Sequence, residues 1–378
     1  MNEKEYIKEI SDIIASKLNS VDFEQKVWLN VLDSIDCFII QNKDQEKVIK
    51  TFLDMSEKKI EPHEGFQKFQ ERYGIIPASD KNTHLIKSRM LQGIYRNQKN
   101  GRVPCNTVFE DDRLINFMGN ERLMKDVDKE LKEILERGRL TEEERLFTNL
   151  LSSQPLAFNI FLPLKWHNFS VGTAVFKELF PFLNIKHLVD IKMEYVRGDE
   201  KGKNGRTTID RSCFDVFVEY ENNNNEIGGI GIEVKYTEPF SQSDYWNRTD
   251  YKKTRYIEAI EEYSKQFRKE CEEEYLRPKY NQLFRNQLIV ELVKKKTAIK
   301  NCILTIVHSE KDEKCIDIVA KFQKLIKLKD SCVSVSIEQI VQSAKDFSDC
   351  PETKSLYEKI YDRYCNYRKV ERFLERIK

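Results

Sequence analysis

The sequence has no Cys-x-x-Cys pair. Its nine cysteines are scattered from Cys37 to Cys365, a spacing that excludes the usual zinc and dithiol motifs and reads as reduced, mostly structural thiols. Histidine is scarce, five in 378 residues, and never falls in the His-x-x-x-His or Glu-x-x-His placement that sets two ligands on one helical face. Any metal is therefore expected on oxygen donors. No apolar run approaches the roughly 18 residues that cross a bilayer, and Met1-Asn-Glu-Lys-Glu-Tyr6 lacks the basic-then-apolar order of a secretion signal. A cytoplasmic protein with no membrane partner is the expectation. No Gly-x-x-x-x-Gly-Lys-Ser/Thr loop occurs, so nucleotide-driven translocation would need another subunit. The net charge of +1 gives no global pull on nucleic acid, and a binding surface would have to be a local stripe.

What is present is an α/β pattern. A 40% hydrophobic and 34% charged chain of this length affords a sizeable core and two ordinary domains. Apolar spacing predicts helices over 3–19, 23–40 and 44–55, then 81–95, with turn signals from Pro62 to Pro77 between them and a loop and possible linker at 97–104. A charged amphipathic helix runs from Asn120 to Arg139 and ends at Gly138. Thr141-Glu-Glu-Glu144 reads as a capping box opening a helix that is apolar all round through Phe161. Inside it lies a polar island, Ser152-Ser-Gln154, before Pro155, where a kink is expected. A helix is expected over 173–182 and a strand over 185–196, followed by a loop rich in Gly and Lys. Helices over 255–269, 282–295 and 313–327, strands at 302–308 and 332–336, and a long last helix through Leu374 complete the pattern.

The sharpest signal lies in two strands, Arg211-Ser-Cys-Phe-Asp215-Val-Phe-Val-Glu-Tyr220 and Gly228-Gly-Ile-Gly-Ile-Glu233-Val-Lys235-Tyr-Thr-Glu238, joined by an asparagine run. Side chains alternate along a strand, so Glu233 and Lys235 share a face with Gly229 and Gly231, and Asp215 shares one with Phe217. A three-residue hairpin loop at Asn223 to Asn225 sets Asp215 directly opposite Glu233. Two adjacent carboxylates repel and gain from a divalent cation; hard oxygen donors suit magnesium or manganese. Lys235, one pleat away, is placed to orient water or stabilise phosphate charge. The glycines are expected to leave open space for a substrate backbone. The bland alternative is a half-exposed strand with a surface ion pair, a contact worth little in itself. Further along, Gln282 and Arg285 share a helical face that could meet a phosphate. Lys252, Lys253 and Arg255 interleaved with Tyr251 and Tyr256, and Lys294 to Lys296 with Lys300, are candidate backbone-tracking patches or simply solvated faces.

The order of these segments resembles the PD-(D/E)XK nuclease superfamily, with its restriction-endonuclease-like mixed sheet flanked by helices. Asn149-Leu-Leu-Ser-Ser-Gln-Pro-Leu-Ala-Phe-Asn159, Phe214-Asp-Val-Phe-Val-Glu-Tyr220, Gly231-Ile-Glu-Val-Lys-Tyr-Thr-Glu238 and Gln282-Leu-Phe-Arg285-Asn286 look like a bacterial branch with an SSQ-containing core helix. The resemblance implies a Mg2+-dependent deoxyribonuclease, with Mn2+ able to substitute, that hydrolyses phosphodiester bonds in restriction or anti-phage defence. DNA is expected over RNA, and a homodimer or a defence-system partner is possible. Asp215, Glu233 and the Val234 carbonyl become the metal ligands and Lys235 the catalytic lysine. Gln154 stands where members often place an acid of the first core helix and is expected to line the site. Arg285, Gln282 and Glu238 are expected on the substrate side. Phe214 replaces the proline of the family motif. The expected division is an N-terminal helical region over 1–105, a nuclease-like domain over 106–345 and a C-terminal helix over 346–378. The competing reading is a catalytically silent nuclease-fold binding or scaffold protein.

Overall fold

A computed structural model describes residues 83–100, 116–138, 143–197 and 212–371. The helices expected before residue 81, the punctuation from Pro62 to Pro77, the Thr141 capping box, the Gly- and Lys-rich loop at 198–211 and Leu374 lie outside the described residues.

Runs of Val, Ile and Phe bounded by turns build five strands, β1 (Ile185–Tyr195), β2 (Phe214–Asn222), β3 (Ile227–Val234), β4 (Asn301–His308) and β5 (Cys332–Ser336). They lie side by side in chain order. The first three form an antiparallel meander, whereas β3, β4 and β5 run parallel. Parallel neighbours need long crossovers, and helices supply them. In chain order the helices are α1 (Thr83–Asn100), α2 (Glu121–Glu136), α3 (Glu143–Phe147), α4 (Ser153–Phe161) and α5 (Trp166–Leu179) before the sheet. Then come α6 (Tyr251–Glu262), α7 (Glu272–Leu276), α8 (Asn281–Lys296), α9 (Glu313–Leu325), α10 (Ile337–Asp346) and α11 (Pro351–Tyr364). One face of the sheet, with Val216, Val218, Ile232 and Ile303, packs on α2, α4, α5, α10 and α11. The other, with Phe217, Cys302, Leu304 and Ile306, packs on α6, α8 and α9. Burial on both faces explains why β4 is apolar along nearly its whole length.

Three expectations need correction. The helix expected through Phe161 is two helices: Ser152 caps a new one by accepting from Gln154 N–H at 3.2 Å. Pro155 therefore sits in a first turn, where no intrahelical bond is owed, and produces no kink. The linker expected from Asn97 is helical to Asn100. The long last helix is interrupted: α11 ends at Tyr364, where the N–H groups of Cys365 and Asn366 both turn back to Tyr361 O, and helical residues resume at Arg368.

Edge strand β1 is tied down from the side. Glu130 of α2 accepts from Met193 N–H at 3.0 Å, and Arg137 donates to Met193 O at 2.9 Å, so side chains occupy backbone groups that an edge strand leaves open. Lys165 and Arg137 each approach the buried Glu130 carboxylate to 3.4 Å. Glu130→Ala is expected to lower stability by about 1.5–3 kcal/mol, the range for hydrogen bonds to a charged group. An unchanged urea midpoint would show that packing alone holds this edge.

Candidate active site

The asparagine run folds as a turn for a local reason. Asn222 Oδ1 accepts from the N–H groups of Asn224 (2.9 Å) and Glu226 (3.0 Å), while Asn225 takes a left-handed φ of 61°, which Asn tolerates better than most side chains. A backbone bond from Asn222 N–H to Glu226 O closes the loop at 2.9 Å. Val216 then pairs with Ile232 and Phe217 with Gly231. Carried one residue further, this register brings Asp215 opposite Glu233. On the outer side, Met193 pairs with Val216 and Tyr195 with Phe214, which sets Glu194 level with Asp215.

Asp215 responds to both neighbours. Desolvation, then the charges of Glu233 and Glu194, push its carboxyl well above the ordinary carboxylate range, against the pull of Lys235 and of the Val234 N–H. That N–H donates to Asp215 Oδ2 at 2.7 Å. Among the described residues no three His, Cys, Asp or Glu side chains converge to hold a metal together. The donor set itself fits a hard divalent cation, since oxygen ligands that repel one another are relieved by positive charge between them.

Glu233 and Lys235 are deeply placed, 4% and 6% exposed. Lys235 directly follows β3, and its N–H donates to Val307 O at 2.7 Å. Its Nζ stands 2.9 Å from Glu233 Oε1 and 5.2 Å from the centre of the Phe240 ring. Burial pulls the ammonium down, but Glu233 and Asp215 outweigh it and hold Lys235 above its ordinary value. The lysine is charged at neutral pH.

The first turns of α8 close over this pair. Gln282 Nε2 donates to Glu233 Oε1 at 2.6 Å, and Gln282 Oε1 accepts from Lys235 Nζ at 3.1 Å and from Ser241 N–H at 2.8 Å. Asn286 Nδ2 donates to Glu233 Oε2 at 2.7 Å. Arg285 Nη1 donates to Ser212 Oγ at 2.7 Å, just ahead of β2, and its guanidinium lies 5.5 Å from the Tyr245 ring centre. Asn281 Nδ2 donates to the carbonyls of Ser241 and Ser243 at 3.0 and 2.6 Å. One end of one helix thus touches Glu233 on β3, the segment that leads into β2 and the loop that follows Lys235.

The polar island meets Glu238, three residues past Lys235. Glu238 Oε1 accepts from Ser153 N–H at 2.8 Å, Ser153 Oγ at 3.3 Å and Arg145 at 3.1 Å. A carboxylate at the first turn of α4 also meets the positive end of the helix dipole. Gln154 is half-buried beside it, and its Oε1 is buried without a hydrogen-bond partner.

The expected open space at the glycines is filled. A Cβ on Gly231 would meet the Phe214 ring at 2.4 Å, and one on Gly229 the Phe217 ring at 2.7 Å. Phe214 leaves the strict alternation at the start of β2 and stacks on Phe217, 5.8 Å apart at 18°. These glycines make room for aromatic rings of the protein itself. Of the basic patches, Tyr256 is core, whereas Tyr251 is 65% exposed and Lys253 stacks 4.2 Å from the Trp246 ring centre. Lys300 instead caps α8 through the carbonyls of Lys294 and Thr297, and Lys295 pairs with Glu262.

A mixed sheet presenting an aspartate opposite a Glu-x-Lys defines a nuclease-type core. A family model for the PD-(D/E)XK nuclease superfamily matches residues 79–366, and the chain belongs to that superfamily. No curated protein and no solved structure shows a significant match.

Asn286 and Glu194 carry no role in the sequence reading. Asn286 was findable, because it lies four residues from Gln282 and so on the same helical face. Glu194 was not, since its register with Asp215 depends on how the segment between β1 and β2 returns.

Proposed function

We propose that the protein is a Mg2+-dependent endonuclease acting on DNA, with Mn2+ able to substitute, in a cytoplasmic restriction or anti-phage role. The observation that carries this is the hairpin register that opposes Asp215 to Glu233, with Lys235 bonded to the glutamate. Asp215 and Glu233 would hold the metal. The Val234 carbonyl is a fitting third donor: a strand residue sends its N–H and C=O to the same edge, and the Val234 N–H is turned toward Asp215. A bound divalent ion supplies a polarised phosphate and a more acidic water. Lys235, kept protonated by its two carboxylates, donates to the attacking water or to a non-bridging phosphate oxygen, where charge builds. Gln154, whose buried Oε1 has no hydrogen-bond partner, is proposed to line the site from the first turn of α4. Gln282, Arg285 and Glu238 commit hydrogen bonds to protein groups, so in this proposal they shape the site that the phosphate enters. DNA over RNA, the defence role, and a homodimer or partner protein rest on the family resemblance.

Purified protein with plasmid and Mg2+ is expected to cleave, and Asp215→Ala or EDTA to abolish cleavage, with labelled RNA left intact. Cleavage that persists in both controls removes Asp215 from the site. The silent-scaffold reading also has an observation behind it, because both Glu233 oxygens are already occupied by side-chain donors. No cleavage of plasmid, linear DNA or RNA with either metal would favour it.

A further inference from the structure

We propose that Asn286 and Gln282 are positioning residues that fix the Glu233 carboxylate for the metal; this rests on the metal-site reading above. Glu233 is buried, and its two oxygens are divided between donors: Oε2 takes Asn286 Nδ2 at 2.7 Å, while Oε1 takes Gln282 Nε2 at 2.6 Å and Lys235 Nζ at 2.9 Å. The Gln282 amide cannot turn over without loss. Its oxygen already accepts from Lys235 Nζ and Ser241 N–H, so its nitrogen must face Glu233. A flipped amide would set its oxygen against a carboxylate and its nitrogen against two donors. Gln282 therefore transmits the position of the Ser241 loop to the glutamate and the lysine together.

Asn286 acts on the other oxygen from one helical turn further along α8. A carboxylate has about four lone-pair sites, and the three donors leave about one of them, on Oε2, for a cation while preventing rotation about its terminal torsion, which is otherwise soft. Amides are the fitting residue type at both positions. They donate without adding a second cation that would compete with the metal, and Lys235 already supplies the one charge that balances Glu233 in a buried setting. Outer partners of metal-ligating carboxylates are worth about 10–100-fold in metal affinity or activity when removed.

The test is Mn2+ binding by calorimetry to the full chain carrying Asn286→Leu, which removes the donor and keeps the volume. Binding is expected to weaken about 10–100-fold, and cleavage is expected to recover as Mn2+ is raised. A second variant, Gln282→Met, is expected to weaken binding similarly and also to lower kcat at saturating Mn2+, because Lys235 loses the Gln282 oxygen that orients it beside Glu233. Glu233→Gln supplies the reference: placed on that background, Asn286→Leu is expected to change residual Mn2+ binding no further. Wild-type affinity in both single variants would overturn the proposal, leaving the two amides as packing residues that lower only the melting temperature. If wild-type protein itself binds no Mn2+, the metal-site reading fails first and this inference falls with it. Should Asn286→Leu not fold, Asn286→Ser, a shorter donor, is measured by the same titration, and unchanged affinity there overturns the proposal equally.

Discussion

Asp215→Asn protein is expected to melt above the wild type in EDTA and below it in saturating Mn2+, while cleaving DNA more than about 100-fold slower, since even an outer-shell partner accounts for about 10–100-fold. The reversal follows from what the carboxylate does in each state. Without a cation, Asp215 stands against Glu233 and Glu194 in a desolvated position, which raises its carboxyl well above the usual range. An asparagine keeps an oxygen for the Val234 N–H now bonded at 2.7 Å and removes the repelling charge. Relief of functional-site strain of this kind commonly stabilises by about 0.5–2 kcal/mol, a shift of a few degrees in a chain of this size. With Mn2+ the wild type gains the linkage energy of a ligand that binds only the folded state, which the variant forgoes. Thermal melts of both proteins at pH 8, with EDTA and with Mn2+, read both halves. A variant less stable than wild type in EDTA would mean that Asp215 serves the fold as an acceptor and is not held against repulsion.

What could be read from the sequence was local. The asparagine turn carries its own chemistry, so the hairpin register, and with it the pairing of Asp215 with Glu233, follows from a few adjacent residues. The apolar runs of β4 and β5 and the amphipathic stripe of α2 are equally self-contained. α10 was missed, although Ser336-Ile-Glu-Gln339 is a capping box in which the serine and glutamine bond reciprocally with the backbone. Other features depend on what lies opposite. Leu and Phe on every side of the segment through Phe161 gave no sign that α3 and α4 separate at Ser152, because a proline reads the same whether it kinks a helix or begins one. A glycine shows only missing volume, and whether substrate or the Phe214 ring fills it is decided by the neighbouring strand. The closing of α8 on Glu233 needed the whole crossover from β3 to β4 to be in place.

Arg363→Ala is expected to be the most destabilising of these changes, of order 3–5 kcal/mol, comparable to truncating a buried aromatic. Arg363 is 0% exposed, and among the described residues no carboxylate pairs with it. Its Nε donates to Gln92 Oε1 at 2.9 Å, and Nη1 and Nη2 donate to Asn116 O and Oδ1 at 2.8 and 2.6 Å. The guanidinium carbon lies over the rings of Tyr95 and Tyr364, 4.6 and 4.4 Å from their centres. Planarity and several donors in one fork are what this position uses, so Arg363→Lys is expected to recover less than half of the loss. The network reaches the strand that carries Glu233 from its other face. Gln92 Nε2 donates to Tyr236 OH at 2.8 Å, and His84 donates to Tyr236 O at 2.8 Å, one residue beyond Lys235. α1 and α11 thereby brace the end of β3 through polar groups that are satisfied only while Arg363 holds the Gln92 amide in its present orientation. Urea denaturation should show the loss as a lower midpoint. Mn2+ affinity of the protein that remains folded should stay within about twofold of wild type, because the amide donors to Glu233 come from α8 on the other face. Lost Mn2+ affinity with an unchanged urea midpoint would place Arg363 in the metal site instead of the scaffold behind it.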